Sequence, residues 1–246
     1  MATTRTTTGN PVYQGPAGTV SAARATTPAR MAFLRKTYTL FSLAMVLWMG
    51  TAATIISSES LLNSVMGLFG GGWTGMLVYL IGAFVLLRVT ASKFPLNLIG
   101  LSLFAVFMGA FTAPMVARYL GLEGGVGIVL QAFLLTACVF GAITAYVLTT
   151  KKDFSFMRGA LAIGIGLAFG MALLAMFGNG WAGGIVMGTG WSVAMVLLFG
   201  GFMLYDTSKV LHRYPTNMAA TAAAMLFYDF VIMFLHMLRL VAASRD

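Results

Sequence analysis

Along the chain, long apolar runs alternate with short polar breaks. Seven runs stand out, at about 38–57, 73–90, 95–116, 125–149, 158–178, 185–207 and 217–242. Each is close to the ~20 residues that cross a hydrocarbon core of ~30 Å as a helix. The breaks read SSESLLNSVMGLFGGG, TASKFP, ARYLGLEGG, TKKDFSFMR, GNGWAGG and SKVLHRYPT. Backbone groups in hydrocarbon must bond to each other, and runs this long do so as helices rather than as barrel strands. The pattern predicts an all-α integral membrane protein with seven transmembrane helices. Residues 1–37 differ: they are rich in Thr, Ala, Pro and Gly and lack the apolar core of a cleaved signal peptide. A disordered basic tail over 1–37 is expected, followed by a seven-helix domain over 38–246.

Composition narrows the class. Of 246 residues, 59% are apolar and 9% charged, against about 25% charged in a soluble domain. A net charge of +9 would point to nucleic acid in a soluble protein. Here the bases record topology instead. Arg5, Arg24, Arg30, Arg35 and Lys36 lie in the tail, and Arg88, Lys93, Lys151, Lys152, Arg158, Lys209 and Arg213 in the second, fourth and sixth loops. Only Arg118, Arg239 and Arg245 of the 15 bases fall on the other side. The asymmetry places the N-terminus in the cytoplasm and, for seven full crossings, the C-terminus outside. A last helix that re-entered would leave Arg245 inside. The bilayer is the expected partner, and no nucleic acid is.

Cys138 is the single cysteine, so no internal disulfide or cysteine zinc site can form. Gly166 and Gly170 form a small-xxx-small pair in the fifth span, the kind that lets helices approach closely. The 18 methionines form no Met/His cluster of a soft-metal pathway.

The six acids can be placed one by one. Glu59, Glu123 and Asp153 fall in loops and Asp246 ends the chain, where all are solvated. Asp229 lies about 18 Å into the seventh span, near the middle of the hydrocarbon, where a carboxylate must be paired, protonated or facing water. Asp206 lies about 8–10 Å inside the cytoplasmic end of the sixth span if that helix continues through Leu211. The short link after it makes the sixth and seventh helices antiparallel neighbours, so the two carboxyls fall within about a turn in depth. Such a pair shares one proton and can sense pH, bind a hard cation or act as an aspartyl acid/base. No substrate cleft or protease motif supports the last of these, and the seventh helix has no lysine for a Schiff base, so no enzyme is expected.

Other polar groups are candidates around the pair. His236, two turns after Asp229 on nearly the same face, reads as a proton relay or as a histidine bonded to a backbone carbonyl. Arg88 ends the second span and can reach the cytoplasmic mouth or snorkel to lipid phosphates. Gln131 is a neutral polar group of the fourth span that can line the same interior. His212 falls in the loop as an interfacial base.

YDTSKVLHRYPTN, followed by FYDFVIMFLHMLRL, resembles the C-terminal signature of the Bax inhibitor family, also called the TMBIM or lifeguard superfamily. AYVLTTKKDFSFMRG is similar to the loop after the fourth span in its bacterial YccA-like branch, and VFMGAFTAP and the terminal ASRD extend the likeness over about 35–246. The resemblance implies a last helix that is central and wrapped by the other six. It implies a pH-regulated calcium leak sensed by two aspartates, which map onto Asp206 and Asp229, with calcium and protons as the ions handled and no resident cofactor. The family's basic latch on the second helix maps to Arg88 or Lys93, and Gln131 stands where some relatives carry a glutamate. The YccA-like branch also implies a bacterial inner-membrane location and a membrane-bound AAA protease as partner. Two functions are therefore expected to compete: an ion leak gated by the aspartates, and a non-transporting membrane regulator that binds a protease or other quality-control machinery or is its substrate.

Overall fold

In hydrocarbon a helix satisfies its own backbone, and the computed structural model accordingly builds the chain almost wholly from helices. It describes residues 21–70, 73–177 and 181–245. In chain order these contain α1 (Thr27–Ile56), α2 (Glu59–Phe69), α3 (Trp73–Thr90), α4 (Leu96–Leu120), α5 (Gly125–Thr150), α6 (Arg158–Phe177), α7 (Trp181–Met187), α8 (Thr189–His212) and α9 (Ala219–Ala243). A 3-10 turn, Ser155–Met157, links α5 to α6. Among the described residues six helices are long and apolar enough to cross a membrane, and seven crossings result if α2 and α3, set at 93° to each other, count as one.

Several boundaries differ from expectation. The first helix starts at Thr27, inside the expected tail, with Pro28 in its first turn, where a missing N–H costs nothing and a fixed φ favours the helix. The remaining expectation of disorder, for residues 1–20, lies outside the described residues. The first polar break contains α2, capped by the Ser58 side chain accepting from the Leu61 N–H. Phe69 of α2 sets its ring edge-on to Phe107 and Phe111 at 5.8 and 5.4 Å. The sixth span starts later and ends later than 185–207, because 181–187 form the separate α7 and α8 runs on to His212. Asp206 therefore lies six residues inside the end of its helix, the depth expected for a helix that continues through Leu211.

The last helix is the most buried. Fifteen of its residues are buried, and it packs on α1, α3, α4, α5 and α8. Its aromatic side chains fix those contacts. Phe230 meets Phe41, Phe133 and Phe140 edge-on at centroid distances of 6.1, 5.7 and 5.9 Å. Trp48 receives Phe227 at 6.4 Å and Phe234 at 5.4 Å, and its indole N–H donates to Thr112 Oγ1 at 2.9 Å. The expected ring of six helices is looser than that, since α6 packs chiefly on α7 and α8. Large apolar side chains such as Val126, Leu197 and Ile163 point outward, more than 60% exposed, as a lipid-facing surface requires. The C-terminus reaches the start of α5, where Arg245 donates to Gly124 O and Gln131 Oε1 at 3.4 and 2.9 Å. The last helix therefore runs the full height of the bundle instead of turning back.

Close approach between helices falls elsewhere than at the expected pair. Gly166 and Gly170 face open space. At Gly109, by contrast, a Cβ would lie 2.7 Å from Thr51 Cβ and 2.8 Å from Trp48 O, so α1 and α4 touch there backbone to backbone. Gly109→Ala should lower stability by about 1–3 kcal/mol through overpacking. Gly166→Ala should leave it unchanged or raise it by about 0.5–1 kcal/mol, because helical Ala loses less backbone entropy than Gly. Thermal midpoints of the two purified variants in one detergent check the contrast.

Candidate functional site

The link between α8 and α9 is short, and its residues turn the chain at the end of the bundle that carries most bases. The first turns of α9 are lined by small buried residues, Ala219, Ala220, Ala222, Ala223 and Ala224, over which α8 packs closely. Two carboxyls meet the core of this hairpin. Asp206 of α8 is 7% exposed and Asp229 of α9 is 3% exposed, on helices that pack against each other. Asp229 Oδ2 has no hydrogen-bond partner among the described residues. The Lys209 ammonium lies 4.0 Å from Asp206 Oδ1, one turn on, and stands over the rings of Tyr214 and Tyr205 at 5.2 and 5.7 Å. The Tyr214 phenol, in the link beyond α8, is pushed well above its usual range by burial, then by the charges of Asp206, Asp229 and Tyr205. Lys209, which lies against both the Tyr214 ring and Asp206, joins that phenol to the site.

Hydrogen bonds fasten α3 alongside. Thr221 Oγ1 donates to Thr90 O at 2.9 Å, and the Tyr79 hydroxyl donates to that of Tyr228, the neighbour of Asp229, at 3.1 Å. From the other side the N-terminal strand of chain closes on the turn: the Ala22 N–H donates to Tyr214 O at 2.9 Å, and Ser21 pairs with Pro215. Ala22 is fully buried by this contact.

The structure separates the remaining candidates from the pair. Arg88 is exposed, with its guanidinium 5.0 Å over the Phe84 ring, and Lys93 is exposed in the next link. Neither is an ion-pair partner of Asp206; Lys209 is. His236 is half-buried on α9, about 10 Å beyond Asp229 toward the opposite end. One turn past it, Arg239 donates to Val186 O at 2.8 Å. Gln131 does not line the same interior. It lies at the opposite end, nearly two turns inside the start of α5, where it accepts from Arg245. Lys209 was legible as an i, i+3 partner of Asp206, whereas Tyr214 and Thr221 come to the site only through the packing of the hairpin.

Over residues 30–246 the sequence matches the family described as inhibitor of apoptosis-promoting Bax1. The chain belongs to the Bax inhibitor family. Mouse protein lifeguard 4 is 33% identical over 227 residues, covering 90% of this chain and 89% of the relative. The modulator of FtsH protease YccA of Escherichia coli K12 is 32% identical over 215 residues, 87% of this chain and 91% of the relative. The Golgi anti-apoptotic protein of vaccinia virus strain Lister is 30% identical over 232 residues, 91% and 90% of the two chains. The family match includes Asp206 and Asp229 and begins at Arg30, within the first turns of α1.

An unpartnered carboxyl oxygen in a packed interior costs stability that an apolar side chain of similar size would not. Asp229→Leu should therefore raise the thermal midpoint in detergent, by the equivalent of about 1 kcal/mol or more. A fall in the midpoint would mean that the carboxyl is satisfied in solution.

Proposed function

We propose that this Bax inhibitor family protein is a pH-sensitive calcium leak, gated by the proton that Asp206 and Asp229 share. The observation that carries the reading is the burial of both carboxyls on the packed helices α8 and α9, with one Asp229 oxygen lacking a hydrogen-bond partner among the described residues. Two carboxylates in a low-dielectric interior do not both ionise without a compensating cation, so proton and cation compete for the pair. Calcium takes six to eight oxygen ligands. Among the described residues no third His, Cys, Asp or Glu joins the two aspartates. Such a pair suits an ion in transit better than one held in place, and calcium is accordingly treated as cargo. Lys209 is the group that would hold Asp206 in its ionised form, and Tyr214 would close the pair from the aqueous side. In this reading seven segments cross a bacterial inner membrane, the N-terminus and the aspartate end face the cytoplasm, and α9 is the central helix.

A second reading has its own support. One relative, about a third identical over most of both chains, is named for modulating the FtsH protease. The present chain would then be a non-transporting membrane regulator that binds, or is a substrate of, a membrane AAA protease, with the residues before Ser21 as the contact.

Two experiments separate the readings. In liposomes loaded with a calcium dye, flux through the unaltered protein should change with pH. Asp206→Asn combined with Asp229→Asn should abolish that response; an unchanged pH profile in the double variant overturns the gating role. Deletion of residues 1–20, which spares the contact of Ala22 with Tyr214, should leave flux intact. Loss of co-purification with a membrane AAA protease in that deletion, without change in flux, would favour the second reading.

A further inference from the structure

The link between α5 and α6 is held on the last turn of α8 by an unusual set of bonds. His212 presents both ring nitrogens to carbonyl oxygens: Nδ1 lies 2.9 Å from Ser208 O and Nε2 lies 3.0 Å from Lys151 O. A carbonyl oxygen only accepts. A neutral imidazole has one N–H and one lone pair, so it can serve one of these oxygens and must face the other with its lone pair. Both contacts are hydrogen bonds only when the ring carries two protons.

The surroundings give this charge a physical basis. Lys151 is the C-cap of α5, and His212 closes α8. The carbonyl-rich, negative ends of two helices therefore meet at one imidazole, an arrangement that favours a cation. Further contacts complete the clamp. The Ser208 hydroxyl donates to Lys152 O at 3.2 Å and accepts from the Phe154 N–H at 3.0 Å, and Arg213 donates to Asp153 Oδ2 at 3.2 Å. The charged residues of the adjoining segments are Lys151, Lys152 and Asp153 on the link, Arg158 at the start of α6, and Asp206, Lys209 and Arg213 on or just beyond α8. On α1, which adds Leu34 to the apolar cluster of Val147, Phe154 and Leu211 beneath the clamp, they are Arg30, Arg35 and Lys36. The preponderance of bases opposes the imidazolium, while the two carbonyls and the two helix ends favour it. Lys151 is also the described non-glycine residue with positive φ, at +52°. That left-handed conformation is uncommon for a lysine and directs its carbonyl to His212.

We propose that His212 is a proton-operated clamp: the imidazolium docks the α5–α6 link onto the end of α8, and loss of its Nε2 proton to water releases Lys151 O, with the remaining N–H kept on Ser208 O. The clamp closes on the same helix that carries Asp206, six residues earlier, yet it is distinct from the aspartate pair and does not require that the protein transport anything. Imidazole is the side chain that exchanges its second proton near neutral pH, so the link is docked while the ring carries both protons and loosened when it carries one.

The chain has two histidines, which makes the charge directly readable. In His236→Gln protein labelled with 15N-histidine, the imidazole spectrum at pH 5.5 should show two protonated ring nitrogens. Movement of the link is read by electron–electron distance measurement between spin labels at Phe156→Cys and Asn217→Cys, both exposed positions, in a Cys138→Ala background. A single narrow distance is expected at pH 5.5 and a broadened distribution at pH 8.5. His212→Gln, with one donor group and one acceptor, should give the broad distribution at both pH values. His212→Arg, which keeps several donors and a fixed charge, should give a narrow one at both. A neutral ring at pH 5.5, or a distribution that does not change with pH in the unaltered histidine, would overturn the proposal whatever the outcome of calcium flux measurements.

Discussion

Burying a carboxyl group in a membrane interior is among the costliest choices a chain can make, and this bundle buries two on adjoining helices. The rest of the structure is arranged so that they stay together. A short link makes α8 and α9 antiparallel neighbours, and the alanine-rich start of α9 lets α8 lie close. Thr221 and Tyr228 fasten α3 to the same helix. Lys209 supplies the nearby positive charge from within α8, so the site carries its own counter-ion and draws on none of the basic residues of α3.

Helices in lipid gain little from hiding apolar surface, because the alternative surroundings are equally apolar. What locates α9 is therefore shape and orientation. Phe230, between Phe41, Phe133 and Phe140, and Trp48, between Phe227 and Phe234, lock its rotation. Since Asp229 directly precedes Phe230, the same contacts fix which way its carboxyl faces. Packing and chemistry are thus one problem on this helix: the aromatic side chains that grip α1 and α5 adjoin the buried carboxyl.

Asp206 and Asp229 stood out in the sequence because so few charges interrupt the apolar runs, and their depth followed from helix geometry. Their neighbours were harder to read. Gln131 had the right polarity for the same interior but lies near the opposite end of the bundle, held by Arg245, because depth along an antiparallel bundle depends on the direction of each helix as much as on membership of a span. Arg88 and Lys93 sit at the correct end but on exposed faces, and a basic side chain with several rotatable bonds finds an aromatic ring or the surface more cheaply than a buried carboxyl. The segment Glu59–Phe69 read as a polar break because Glu, Ser and Asn lower its average, yet its Leu, Val, Met and Phe recur at helical spacing. Helix α1 overran its expected start because Pro28 initiates a helix as readily as it breaks one.

By itself the sequence determined the solvent, the helical class and the residues that had to carry chemistry. Those depend on composition and on the 1.5 Å rise per residue, which hold whatever the tertiary arrangement. Only the tertiary structure decided which groups face the aspartates and how the basic end is closed. Ala22 covers the turn at Tyr214, Lys209 pairs with Asp206, and His212 joins the ends of α5 and α8. Hydrogen bonds and ion pairs form within a few ångströms, and which partners come that close is set by helix rotation and stagger, quantities that hydropathy does not encode.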